Sequence, residues 1–211
     1  MKTEELIRVL AADGARPVIP ISHALMRALG LGVIASIALF LLLLHPRPDL
    51  AQTCLSLPFL FKLTFALLIA AAAALFLTEV ARPALPRQRR WPLVLAPLLL
   101  IVGVIGELVS VPSEAWAVRL IGHNARHCVS LIPMLALPPL ITLLIALRHG
   151  APWHPALAGA MAGLVSGGVG ALLYALSCPD DSPLFIATWY SIGIAIVTGV
   201  AAYVGGRVLR W

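Results

Sequence analysis

Six long apolar runs dominate this chain of 211 residues, near 28–44, 60–78, 91–111, 128–147, 155–176 and 184–204. About 20 apolar residues are enough for one helical crossing of a bilayer. Hydrocarbon offers the backbone no hydrogen-bond partner but itself, so such runs must be helical. The pattern predicts an all-α, polytopic membrane fold with six transmembrane helices. The alternating ten-residue stretches of a membrane barrel are absent. Composition agrees: 61% of residues are hydrophobic and 11% charged, which excludes both a water-soluble globule and a disordered chain. The first run lies behind a polar leader and is followed by His45-Pro46-Arg47-Pro48, not by a small-residue cleavage site, so it reads as a retained span.

The basic residues predict the orientation. The leader, the connections after spans two and four, and the tail carry Lys2, Arg8, Arg16, Arg27, Arg82, Arg87, Arg89, Arg90, Arg148, Arg207 and Arg210. The opposite side carries only Arg47, Arg119 and Arg126. By the positive-inside rule both termini are cytoplasmic. The expected organisation is a cytoplasmic leader over 1–27 with a short amphipathic helix, a six-helix membrane domain over 28–204, and a cytoplasmic tail over 205–211. The net charge of +6 is then mostly orientation, and direct nucleic-acid binding is not expected. Trp91, Trp153 and Trp211 fall at the inner boundary, with Trp116 and Tyr174 near the outer one, as an aromatic belt would place them.

On this topology Cys54, Cys128 and Cys178 all face the oxidising compartment. Spans four and five are joined by a tight turn at His149-Gly150-Ala151-Pro152, so Cys128 and Cys178 stand at the same height on an antiparallel pair. A disulfide needs Cα atoms within about 7 Å, which adjacent helix ends can satisfy. Redox or metal chemistry is one reading; three small buried apolar side chains is the other. The odd count leaves one thiol over, expected to be Cys54. His123 and His127, four apart and just before Cys128, would share a helix face, and Asp180 and Asp181 follow Cys178. Together these are possible accessory ligands for zinc or another soft ion, or simply polar groups at an interface.

Lys62 and Glu107 are the only charges within the runs, and antiparallel neighbours would put them at one depth. A bare intramembrane charge costs about 2.5–3.5 kcal/mol, which pairing, or snorkelling of the lysine, reduces. They read as a structural pair or as part of an ion path. Pro133, Pro138 and Pro139 predict a kink in span four. Gly159, Gly163 and Gly167 form a small-residue face on span five, against which a kinked span four would slide. In the leader, Thr3 can cap a short helix whose Leu6, Ile7 and Leu10 make one apolar stripe, for the bilayer surface or a partner's groove. No Ser/His/Asp set, Walker loop, HExxH or CxxC is present, which disfavours an enzyme. A small transporter or thiol oxidoreductase is the alternative reading, and a structural subunit a third.

Several stretches together resemble the negative-regulator-of-sigma-F family of six-span bacterial membrane anti-sigma factors. They are Met1-Lys2-Thr3-Glu4-Glu5-Leu6-Ile7 with Leu10-Ala11-Ala12-Asp13 and Pro17-Val18; Lys62; His127-Cys128 with Ile132-Pro133; and the turn from Ala146 to Pro152. The stretch from Tyr174 to Phe185, Trp189-Tyr190 and the terminal Trp211 complete them. The resemblance implies a non-enzymatic protein that holds an extracytoplasmic-function sigma factor at the bacterial inner membrane and releases it on metal or oxidative stress. It maps the family's paired outer cysteines onto Cys128 and Cys178, and leaves Cys54 without a counterpart. It assigns sigma binding to cytoplasmic segments: the leader with Leu6, Ile7, Leu10 and Asp13, the basic loop over 82–90, and the turn beginning at Arg148. No resident cofactor is implied, beyond a heavy-metal or zinc ion at the outer cysteines.

Overall fold

The computed structural model describes residues 3–5, 20–81, 91–150 and 152–210. Among them no strand occurs, and six helices are long and apolar enough to cross a membrane. They are α1 (Ile21–Leu43), α2 (Leu57–Val80), α3 (Pro92–Ser110), α4 (Ala125–Leu147), α5 (Pro155–Ala175) and α6 (Pro183–Val208). Each coincides with one apolar run, but the ends differ. The first helix begins at Ile21, not near 28, and the last continues to Val208, not 204. An apolar run measures hydrocarbon thickness, whereas helical hydrogen bonding continues into the interface until something stops it. At the start of α1 that is Pro20, whose ψ of 132° is extended and which disfavours helical backbone in the residue before it. The expected boundaries at 27/28 and 204/205 therefore fall inside helices. The leader residues Leu6, Ile7, Leu10 and Asp13, the basic loop over 82–90, and Trp211 lie outside the described residues.

The bundle is organised around α5, which packs against α6, α2 and α4, while α1 lies on α4 and α3 on α2. Glycine sets these contacts. A Cβ on Gly159 would lie 2.3 Å from the Ala201 carbonyl oxygen, and one on Gly163 would lie 2.7 Å from the Ala201 methyl. A Cβ on Gly167 would meet Ile194 at 3.2 Å. The stripe expected to face span four thus faces α6. Steps of four follow one line along a helix and so meet one neighbour. Helix α4 is met instead at Gly170, where a Cβ would lie 2.5 Å from the Ile132 carbonyl oxygen.

Helix α4 runs from Ala125 to Leu147 with Pro133, Pro138 and Pro139 inside it. Pro139 has no N–H for the Leu135 carbonyl one turn back. Ser36 of α1 supplies the missing donor at 2.7 Å, in a wholly buried contact. Gly32, one turn earlier, lets α1 approach: a Cβ there would sit 2.4 Å from Pro139 Cα. The proline site in α4 is therefore where α1 docks.

The two ends of the bundle differ. At one, Gly150 in the α4–α5 turn lies against Ile21 and the Ala81 carbonyl, and Leu209 shares a core cluster with Leu25. Trp91 and Trp153 are exposed there, as expected of interface residues. Arg148, exposed, follows the last residue of α4 at the same end. The other end carries Cys128, Cys178, Phe40 and Phe65 in one core cluster. Tyr174 belongs to that cluster and is buried, so it is not an outer-belt residue.

Candidate functional site

Helix α5 ends at Ala175, and the chain does not turn directly into α6. Pro179 and Pro183 break helical continuation, leaving a loop over 176–182 that lies across the bundle end. The buried charged groups of this end, Arg47, Lys62 and Glu107, are all bonded to that loop. The Cys178 carbonyl accepts from Lys62 Nζ at 2.8 Å and from Arg47 Nη1 at 3.3 Å. The Asp181 carboxylate accepts from Arg47 Nη1 at 2.9 Å and, through its other oxygen, from Lys62 Nζ. Ser177 Oγ donates to the His45 carbonyl at 2.9 Å, and Arg47 N to the Leu176 carbonyl at 3.0 Å. The His45–Arg47 segment after α1 is thereby clamped to the loop. Arg47 and Lys62 also stand over the Phe59 ring, at 5.4 Å and 5.6 Å from its centroid.

Lys62 is wholly buried. It does not pair with Glu107, as their shared depth suggested. Glu107 serves the start of α6, where it accepts from Leu184 N at 2.8 Å and lies 2.8 Å from Ser182 Oγ. A carboxylate at a helix N-terminus satisfies orphan N–H groups and meets the positive end of the dipole. Arg119 balances its charge at 2.9 Å. Each intramembrane charge has thus found a local counter-ion from a connecting segment.

Asp180 performs the same service for α4. It accepts from the backbone N–H of His123 at 3.1 Å and of Asn124 at 3.0 Å, and from Asn124 Nδ2 at 3.0 Å. Burial raises its pKa, but these hydrogen bonds outweigh burial and hold the carboxyl below its usual value. Gly122 precedes this cap with φ +56°, a left-handed conformation that glycine adopts without strain. A Cβ there would also strike the Phe185 ring at 2.5 Å.

Beneath the loop lie Cys128 and Cys178, both buried free thiols that interact side chain to side chain. Their expected juxtaposition is therefore present, without a disulfide between them. Cys128 stands one turn into α4; Cys178 belongs to the loop. The hydrogen bond with Cys128 and the Lys62 charge lower the Cys178 pKa from 9.0 to about 7, against the opposing effect of burial. Two tyrosines flank the sulfurs: Tyr174 from α5 and Tyr190 from α6, with ring centroids 5.9 Å apart. Tyr190 is the last residue of a π-helical turn, Ile186–Tyr190.

The other expected ligands do not join the pair. His123 lies in the turn before α4, not on its first helical face, and contacts Asp180. His127 is exposed, while its neighbour Cys128 points into the core. Adjacent residues on a helix lie about 100° apart and cannot face one site. Cys54 closes the short helix Leu50–Thr53, half-buried, with its thiol 3.3 Å from the Ala51 carbonyl oxygen. Among the described residues no group of three or more His, Cys, Asp or Glu is disposed to hold a metal ion. Sequence reasoning gave Arg47, Arg119, Asn124, Ser182 and Tyr190 no part in the site. The unusual His45-Pro46-Arg47-Pro48 segment was the available signal for the first.

A thiol pair at the end of a six-helix bundle, opposite a basic end, is the arrangement the sequence resemblance implied. The family model described as negative regulator of sigma F matches residues 10–211. The chain belongs to this family. Among similar proteins, the anti-sigma-F factor NrsF of Caulobacter vibrioides (strain NA1000 / CB15N) is 37% identical, with the whole of both chains covered. The probable anti-sigma-F factor NrsF of Azospira oryzae (strain ATCC BAA-33 / DSM 13638 / PS) is 33% identical, again over both whole chains. No solved structure matches. Membership of the negative regulator of sigma F family makes this a regulatory protein with a sigma factor as the expected partner.

Proposed function

We propose that this protein sequesters an extracytoplasmic-function sigma factor at the bacterial inner membrane and releases it when an oxidant modifies the Cys128–Cys178 pair. One observation carries this reading: two buried free thiols share one core cluster beneath a loop that is bonded to α2, α3, α4 and the segment after α1. Both termini are cytoplasmic, the thiol end is periplasmic, and the basic end with Arg148 and the leader is the sigma-binding face. The asymmetry of Lys and Arg supports that orientation.

Joining the sulfurs would displace a loop that caps α4 through Asp180 and holds α2 through Asp181. Helix α4 in turn ends at Arg148 on the opposite face. Moving a two-state system from 1:99 to 99:1 takes about 5.5 kcal/mol. A disulfide contributes typically about 2–4 kcal/mol, and loss of buried ion pairs beside it is of similar size. The transporter reading gains little support, since Arg47, Lys62 and Glu107, the buried charges among the described residues, all belong to the thiol end.

The test is co-purification of the sigma factor with membranes before and after peroxide treatment. The native protein should release its partner. A variant with Cys128→Ala and Cys178→Ala should retain it under both conditions. Release from that variant by peroxide would refute the thiol switch.

A further inference from the structure

Tyr190 is wholly buried, yet its hydroxyl has no hydrogen-bond partner among the described residues. Buried hydroxyls are nearly always satisfied, and an orphan donor costs about 1–3 kcal/mol. This one lies beside Cys178. A neutral thiol is a weak acceptor, whereas a thiolate or a sulfenic oxygen is a strong one. The hydroxyl is thus placed to donate to a Cys178 thiolate or to its sulfenic oxygen.

The two sulfurs differ in their surroundings. Cys178 sits in a loop whose backbone is gripped by two cations, Lys62 at 2.8 Å and Arg47 at 3.3 Å. Cys128 lies within helix α4 and has no such cation bonded to its backbone among the described residues. The groups facing Cys178 are Lys62 on α2, Arg47 after α1, Asp180 and Asp181 on its own loop, Cys128 on α4, Tyr174 on α5 and Tyr190 on α6. Arg119, His123 and the loop residues Pro179 and Asp180, which follow Cys178 directly in sequence, line an open cleft of ≈ 330 Å³, while the thiol itself is buried.

Resting on the function proposed above, we propose that Cys178 attacks an incoming hydroperoxide, that Cys128 resolves the product, and that Tyr190 and Lys62 stabilise and position the Cys178 anion. The Cys178 thiol proton leaves to solvent. The thiolate sulfur then attacks the terminal peroxide oxygen, the O–O bond breaks, and the departing alkoxide or hydroxide takes up a proton. Cys178 is oxidised by two electrons to a sulfenic acid, and the peroxide is reduced to an alcohol or water. Cys128 displaces the sulfenic hydroxyl, which leaves with the Cys128 proton as water, and the S–S bond forms. Tyr190 donates to the sulfur anion and then to the sulfenic oxygen. Lys62 is a positioning residue that holds the Cys178 backbone and adds positive potential.

The experiment uses the full-length protein in lipid nanodiscs with hydrogen peroxide and a sulfenic-acid trap. Cys128→Ala should accumulate trapped label on Cys178, while Cys178→Ala should leave Cys128 unlabelled over the same time. The native oxidation rate should rise with pH through a midpoint near 7. Tyr190→Phe, which removes only an orphan hydroxyl, should keep the native melting temperature. It should react about fivefold more slowly at pH 7, with its midpoint moved upward by about one unit and its rate restored at high pH. The charge-neutral double variant Lys62→Met, Asp181→Asn should shift the profile in the same direction. Equal labelling of Cys128 and Cys178 in the single variants, or native rate and pH profile in both Tyr190→Phe and the double variant, would overturn the assignment. Oxidation that follows this pattern without sigma release would instead sink the functional reading and leave this chemistry standing.

Discussion

Lys62 shows how a residue that looks like an error becomes a structural requirement. An ammonium in hydrocarbon is unfavourable, but here a carboxylate and two carbonyls converge on it. Removing one partner of a buried pair strands the other, at a cost of about 3–5 kcal/mol. Asp181→Asn alone leaves the buried Lys62 ammonium without a carboxylate and should lower unfolding free energy in mild detergent by that amount. Adding Lys62→Met should recover more than half of it, because Arg47 keeps Asp49 and no unpaired buried charge then remains. Non-additivity of this size is the signature of direct contact. The sequence showed that Lys62 needed a partner; it did not show which. The partner comes from residues more than a hundred positions away, on a loop whose path is set by where α5 ends.

At the scale of helices, the glycine pattern makes a prediction with an internal control. Gly163 and Gly199 are both glycines in apolar helices, and sequence treats them alike. In the bundle a Cβ on Gly163 would lie 2.8 Å from Thr198 Cα, whereas nothing lies within 4 Å of a Cβ on Gly199. Gly163→Ala should therefore force α5 and α6 apart at about 1–3 kcal/mol. Gly199→Ala should leave stability unchanged or raise it slightly, since alanine favours helix. Melting temperatures of the two variants in one detergent decide the matter; an equal loss in both would show that the α5–α6 contact is not the one described. The proline-rich α4 teaches the same lesson. Sequence reads Pro139 as a breaker, but Ser36 on another helix replaces the lost donor.

For the whole molecule, an even number of crossings puts both ends of the bundle's chain on one side, and the proposed orientation makes that side the cytoplasm. In a cysteine-free background, Leu55→Cys lies in an exposed segment of the thiol end, and Arg207→Cys in the last turn of α6. An impermeant maleimide added to intact cells should label the first and spare the second. The reverse pattern would invert the topology and move the thiol pair to the cytoplasm, out of reach of a periplasmic oxidant.

Hydrocarbon is an unforgiving solvent, so span number and helical class follow from composition along the chain, and six runs became six helices. The meeting of Cys128 with Cys178 was legible for the same reason, because a tight turn between antiparallel helices equalises their depth. Azimuth was not legible. Membrane helices are apolar all round, so no amphipathic stripe announces which side meets which neighbour. The direction of the α5 glycines, the partners of Lys62 and Glu107, and the unpartnered Tyr190 hydroxyl were settled only when the helices packed.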